Sequence, residues 1–143
     1  YDENIFIAIS QNFEFFTKLI NGRYPDYERV IPKESKININ LNREKMIEGI
    51  KTISMLSEII KITINKENIT FESINNDNSE AKTVIEQKFA IEDNIILGVK
   101  NRFILDFLSS IEDSEFTLSY NDVGLPFVLS SEELKTVIMP INI

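Results

Sequence analysis

Carboxylates are the chemically capable side chains that this chain holds in quantity: 23 Asp and Glu, against no histidine and no cysteine. Without those two residue types, thiolate zinc sites, cysteine nucleophiles and Ser-His triads are excluded within the chain. Asp106 with Glu112 and Asp113 has the makings of an acid-base carboxylate pair for hydrolysis. The stretch NNDNSE, around Asp77 and Glu80, has calcium-loop spacing. It lacks the glycine that allows the sharp turn of such a loop, so a solvated hairpin turn is the better reading. Charges at a helix end explain the other three carboxylates without chemistry. No metal, no cofactor and no catalysis are expected, and a carboxylate-based hydrolase stands as the weakest of the readings.

Two other segments are chemically unusual because they are rigid and apolar rather than reactive. Residues 21–33 read NGRYPDYERVIPK, which fits neither a helical period of 3.6 nor a strand period of 2. Asn21-Gly22 signals a turn, and the residues preceding Pro25 and Pro32 are pushed toward extended backbone, predicting a rigid, extended connector. The chain's last residues, VIMPINI, set Pro140 among apolar neighbours. Pro25 and Pro140 make both segments rigid, and Met139 carries a polarizable, adaptable side chain. Taken singly, the first segment reads more simply as a linker and the second as a core strand ending at a proline.

The elements that must position these segments follow from patterning. At 143 residues, 43% of them hydrophobic, with only four glycines and four prolines, the chain suffices for one folded domain, or one domain and a piece of another. No apolar run approaches the roughly 18 residues of a membrane span, and YDENIFIAIS lacks the basic start of a signal peptide. A cytoplasmic protein with no membrane partner is expected. Residues 4–20 alternate as a β-hairpin around Gln11-Asn12. A strand at Ile37–Leu41 precedes a helix whose face is Met46, Ile47, Ile50, Ile53 and Leu56, with Asn42 as N-cap. Three strands follow: IIKITIN, NITFESI and EAKTVIEQKFA. The order then recurs as NIILGV, a helix carrying Phe103, Ile104, Phe107, Leu108 and Ile111 on one face, and EFTLSYN, PFVLSSE and LKTVIMPI. Two tandem β-α-β-β-β units predict an α+β domain, with two helices side by side on antiparallel sheet and internal pseudo-twofold symmetry. The hairpin is then left over.

A tandem β-α-β-β-β domain introduced by GRYPDYERVIP and closed by VIMPINI closely resembles the bacterial DNA polymerase III beta subunit family, the sliding clamps. In that family the linker before the third domain carries a G-R-F/Y-P-D-Y/F stretch, and the chain stops just after a V-x-M-P-hydrophobic tail. The likeness spans the whole chain and implies the DNA-clamp fold. It divides the chain into 1–24, the C-terminal hairpin of a preceding clamp domain; 25–36, an interdomain linker; and 37–143, the third clamp domain.

What the resemblance implies is a ring of six such domains, formed by two full-length chains in a head-to-tail homodimer that encircles duplex DNA without sequence specificity. Such a ring tethers the polymerase III alpha subunit, the clamp loader and other clamp-motif proteins. Partner peptides loosely of the form QLxLF enter a groove that, by motif matching, Pro25, Arg29, Val30, Val137, Met139, Pro140 and Ile141 line, with Leu125 from the DVGLPF loop contributing. Asn142 stands where many relatives carry a basic residue, and Glu28 where a second cation is common, so partner orientation is expected to differ. Arg43, Lys45 and Lys51 on the first helix, Lys100 and Arg102 on the second, and Arg23 at the linker are read as DNA-facing. The bland reading is a solvated helix face, and the formal charge of −8 argues against general nucleic-acid affinity outside such a local patch. Met55 and Leu56 match the contact between subunits, with a core role the simpler alternative for Leu56. The competing function is a freestanding peptide- or ligand-binding adaptor, in which the hairpin joins the domain's own sheet.

Overall fold

The computed structural model describes residues 4–22, 26–74 and 81–143. Strands β1 (Ile5–Ile9) and β2 (Glu14–Lys18) form the hairpin, and a single 3-10 turn, Tyr27–Arg29, follows. That turn replaces the extended connector expected there. The first unit is β3 (Ile37–Asn42), α1 (Arg43–Ser54), β4 (Ile59–Ile64), β5 (Asn68–Ser73) and β6 (Lys82–Glu86); the second is β7 (Ile95–Lys100), α2 (Asn101–Ser110), β8 (Glu115–Tyr120), β9 (Phe127–Ser130) and β10 (Lys135–Ile138).

The two units do not fold side by side as separate sheets. One four-stranded antiparallel sheet runs β10-β9-β8-β3 and the other β6-β5-β4-β7, so each unit lends its first strand to the sheet of the other. β3 lies on β8 from Ile37 opposite Tyr120 to Asn42 opposite Glu115, and β7 lies on β4 from Ile95 opposite Ile64 to Lys100 opposite Ile59. Each helix is therefore the crossing between the two sheets. The halves cannot be parted without breaking both ladders.

Backbone hydrogen bonds repeat this symmetry at the helix starts. The N–H of Arg43 donates to the Ser114 carbonyl at 2.9 Å and that of Asn101 to the Glu58 carbonyl at 3.0 Å. Side chains reinforce both: Arg43 Nε donates to the Leu108 carbonyl at 2.8 Å, and Asn101 Nδ2 to the Ser57 carbonyl at 2.9 Å. Each helix thus begins where the other ends. Asn42 caps α1, its Oδ1 accepting from the Lys45 N–H at 3.0 Å, which satisfies one of the donors a helix start leaves free.

One core fills the space between sheets and helices. Ile60, Ile62 and Ile64 of β4 point inward at strand alternation, and Met46, Ile50 and Ile53 of α1 and Ile104, Phe107 and Leu108 of α2 close over them. Phe107 meets Phe116 edge to face, ring centroids 5.4 Å apart, a contact worth about 0.5–1.5 kcal/mol beyond its buried area. Gly49 is buried in α1 because the Phe71 ring occupies the place of a side chain: an added methyl would run into Cε2 and lie 2.8 Å from Cδ2. Phe71 is fully buried and has nowhere to retreat. With Phe71 unable to yield, overpacking at the upper end of its usual range, about 2–3 kcal/mol, outweighs the roughly 1 kcal/mol of helix propensity that alanine gains, so Gly49→Ala is expected to lower unfolding stability by about 1–2 kcal/mol net. Urea denaturation checks it; an unchanged or raised midpoint would mean that β5 yields freely.

Two expected core residues lie elsewhere. Leu56 falls beyond the end of α1 at Ser54, where the helical period stops, and is 56% exposed; Met55 beside it is 83% exposed. Phe103, expected on the buried face of α2, is 50% exposed, because Ile104, Phe107, Leu108 and Ile111 already fill that stripe and Phe103 sits at its margin. The hairpin makes its own two-stranded sheet and pairs with neither four-stranded one. Phe6, Ile7, Ile9, Phe13, Phe15 and Phe16 are exposed on its two faces. Two strands are too few to stand alone in water, and an apolar surface of this kind marks a contact face.

Candidate functional site

β10 ends at Ile138, which pairs with Phe127, so Met139, Pro140 and Ile141 leave the strand in which they were expected. Pro140 lacks the N–H that would continue the ladder. Beside this exit lies a cavity of about 360 Å³ with predominantly apolar walls: Phe103 and Phe107 from α2, and Leu134, Val137, Ile138 and Met139 from β10 and its ends. Asp106, Ser110 and Thr136 supply its polar rim. Met139 is 61% exposed next to buried Ile138. A flexible thioether and a half-exposed ring over a packed floor can receive a branched or aromatic side chain and exclude water from it.

Of the residues singled out from sequence, Val137 and Met139 line this cavity, and Pro140 and Ile141 continue from it half-buried. The Ile141 N–H donates to the Gly98 carbonyl of β7 at 2.7 Å. Leu125, 50% exposed, does not line the cavity; it belongs to the loop between β8 and β9, where Asn142 Oδ1 comes within 3.9 Å of the place a Gly124 side chain would take. Arg29 and Val30 do not line the cavity either. Arg29 Nε pairs with Asp26 at 2.8 Å on the 3-10 turn, and Val30 is 54% exposed. Pro25 and Arg23 lie outside the described residues, as do Asp77 and Glu80. Phe103 and Phe107 both line the cavity although the helical period assigned them to the core, and of the two it is Phe103 that is exposed. Its place at the edge of an already complete apolar stripe was the available signal.

The cations separate into two kinds. Lys45, Lys51 and Lys100 are exposed, whereas Arg43 is half-buried and commits its Nε to the Leu108 carbonyl. Arg102 is exposed and faces Asp106 one turn on, at 3.4 Å. Glu44 and Glu48 share the exposed face of α1, leaving a thinly basic surface suited to loose contact. Burial, followed by the charge of Asp122, raises the Tyr120 hydroxyl above its ordinary pKa of 10.0. Among the described residues no group of three or more His, Cys, Asp or Glu is arranged to hold a metal ion, and no helix is long and apolar enough to cross a membrane.

Comparison with known proteins bears on this geometry. Residues 28–142 match the family model described as DNA polymerase III beta subunit, C-terminal domain. The chain is 36% identical over 155 residues to the beta sliding clamp of Helicobacter pylori strain J99, covering 99% of this chain and 41% of that protein. It is 25% identical over 138 residues to the beta sliding clamp of Bacillus subtilis, covering 90% of this chain and 36% of that protein. The structure of the Helicobacter pylori beta clamp bound to a DNA ligase peptide superposes with a TM-score of 0.87 at 36% identity, over 100% of this chain and 40% of that one. The DNA polymerase III subunit beta of Pseudomonas aeruginosa gives a TM-score of 0.86 at 21% identity, over 99% of this chain and 40% of that one, a likeness of fold. The chain thus spans about two fifths of the length of these relatives.

Proposed function

This chain belongs to the DNA polymerase III beta subunit family, the sliding clamps, and from that membership we propose that it is the C-terminal portion of a processivity clamp. In this reading residues 1–24 end the preceding clamp domain, 25–36 link it, and 37–143 are the third domain. Two full-length chains close head to tail around duplex DNA in the cytoplasm, and the ring holds the polymerase III alpha subunit, the clamp loader and other clamp-motif proteins without catalysis of its own. The observation that carries the partner role is the apolar cavity flanked by exposed Met139 and Phe103 at the point where the tail leaves β10. A relative of the same fold is bound to a DNA ligase peptide, and a short peptide with an apolar end is the ligand such a cavity suits. Pro25, Arg29, Val30 and Leu125 complete the groove once the preceding domain is in place. The freestanding adaptor is disfavoured because the hairpin lies outside both sheets of the domain.

Lys45, Lys51, Lys100 and Arg102, with Arg43 and Arg23 in support, face the DNA. Lys45 and Lys51 on α1, Arg102 in the first turn of α2, and Lys100, which is the last residue of β7 and the N-cap of α2 rather than a helical residue as expected, are the exposed members of this set, and the paired Asp106 and neighbouring glutamates keep the contact weak enough to slide. Reversing Lys45, Lys51 and Lys100 to Glu in the full natural chain that carries this sequence should shorten retention on circular duplex, equally for all sequences. The salt slope should fall by about 0.9 for each phosphate that the variant no longer neutralises. Unchanged retention and slope at low salt would remove the helices from the DNA face.

A further inference from the structure

We infer that Gly98 is a positioning residue of the proposed groove, its missing side chain letting the C-terminal tail close against β7 and hold Met139 and Pro140 in place. The inference rests on the groove reading above. Among the described strands β7 lies at a sheet edge, paired with β4, and Gly98 sits opposite Lys61 in that pairing. Its φ is not in the left-handed region; among the described glycines only Gly124 is. Backbone freedom therefore does not explain a glycine here, and glycine inside a strand is otherwise unfavourable.

Space explains it. A methyl at Gly98 would run into the carbonyl oxygen of Ile141 and stand 2.6 Å from Cγ2 of Ile143. A side chain can swing aside, but a carbonyl oxygen moves only with its backbone. Gly98 is buried under this tail, and its own carbonyl accepts the Ile141 N–H at 2.7 Å.

The consequence reaches the groove through chain length. Ile138 is fixed to Phe127 in one sheet and Ile141 to Gly98 in the other. Only Met139 and Pro140 span the gap, and proline fixes one of their dihedrals. Anchored at both ends, the exposed Met139 is presented in one place without a partner having to order it, which removes part of the entropic cost of binding. An added methyl would lift the second anchor and leave the wall attached at one end.

The test uses Gly98→Ala in the full natural chain, with two readouts beyond folding. Binding of a fluorescein-labelled peptide ending in QLDLF should weaken five- to twentyfold by anisotropy. Hydrogen exchange of the C-terminal segment containing the Ile141 amide should accelerate at least tenfold, with the circular dichroism spectrum kept. A purely structural role for Gly98 would shift the unfolding midpoint and leave tail exchange in the native state as in wild type. Should Gly98→Ala fail to fold, Ile143→Ala removes the side chain lying over Gly98 without adding an atom to β7, and should weaken the peptide two- to fivefold with faster tail exchange. Wild-type tail exchange in a folded variant, or faster exchange with undiminished peptide affinity, overturns the inference. A wild-type protein that binds no such peptide instead removes the groove reading, and this inference with it.

Discussion

Met55→Asp in the full natural chain should convert a dimer at micromolar concentration into monomers, read as a halved mass by light scattering. Met55 is 83% exposed and Leu56 56% exposed in the turn that ends α1, beyond the last helical residue, Ser54. Two adjacent, mostly exposed apolar side chains at a helix end suit a surface that another molecule covers. In the proposed ring each subunit meets its partner head to tail at two equivalent contacts, so one substitution acts twice. Burying a carboxylate there without a partner costs several kcal/mol at each contact, and every 1.4 kcal/mol is a factor of about ten in the dimer constant. The domain itself should be unaffected, because the altered side chain starts in water. A Met55→Asp protein that keeps the wild-type mass across the same concentrations would take this turn out of the interface.

Removing Met139 to Ile143 should weaken a QLxLF-type peptide at least tenfold while the domain stays folded. The deletion takes away the Met139 wall of the cavity, Pro140, and the Ile141 anchor on β7, but it leaves β10 intact through Ile138. Burying a Leu or Phe side chain is worth about 1.5–3 kcal/mol, which sets the scale of the loss when one receiving wall is gone. Met139→Ala alone should cost less, since Phe103, Phe107 and Leu134 remain around the cavity. A segment outside regular structure can be removed at low cost when few backbone bonds go with it. In this tail the described bond is the one from the Ile141 N–H to the Gly98 carbonyl. Fluorescence anisotropy gives the affinity and circular dichroism the folding control. A folded deletion protein that binds the peptide like wild type would place the groove elsewhere.

Much of this molecule was legible from local rules. Strand alternation in IIKITI, the apolar stripe of Met46, Ile50 and Ile53, and Asn42 as N-cap depend on residues within a few positions of one another, and the structure has them as expected. The tandem order of elements and the two proline-bearing segments at either end of the domain were likewise readable along the chain, and with them the family. What the chain could not display was partner choice between distant segments. β3 joins β8 and β7 joins β4 because the helix after each first strand crosses from one sheet to the other, and nothing in the periodicity of β3 distinguishes β8 from β4. Exposure was decided by tertiary structure for the same reason. Phe103 and Leu56 carry the same apolar character as their buried neighbours; the position of Phe103 at the margin of its helical stripe was a local hint, but it is the completed packing that shows the core is full without them. Gly98 is the sharpest case: in sequence it merely interrupts a β-branched strand. Its purpose emerges when a tail some forty residues on folds back and its carbonyl at Ile141 occupies the place of the missing side chain, since close approach between backbones is fixed by packing and leaves no period to read.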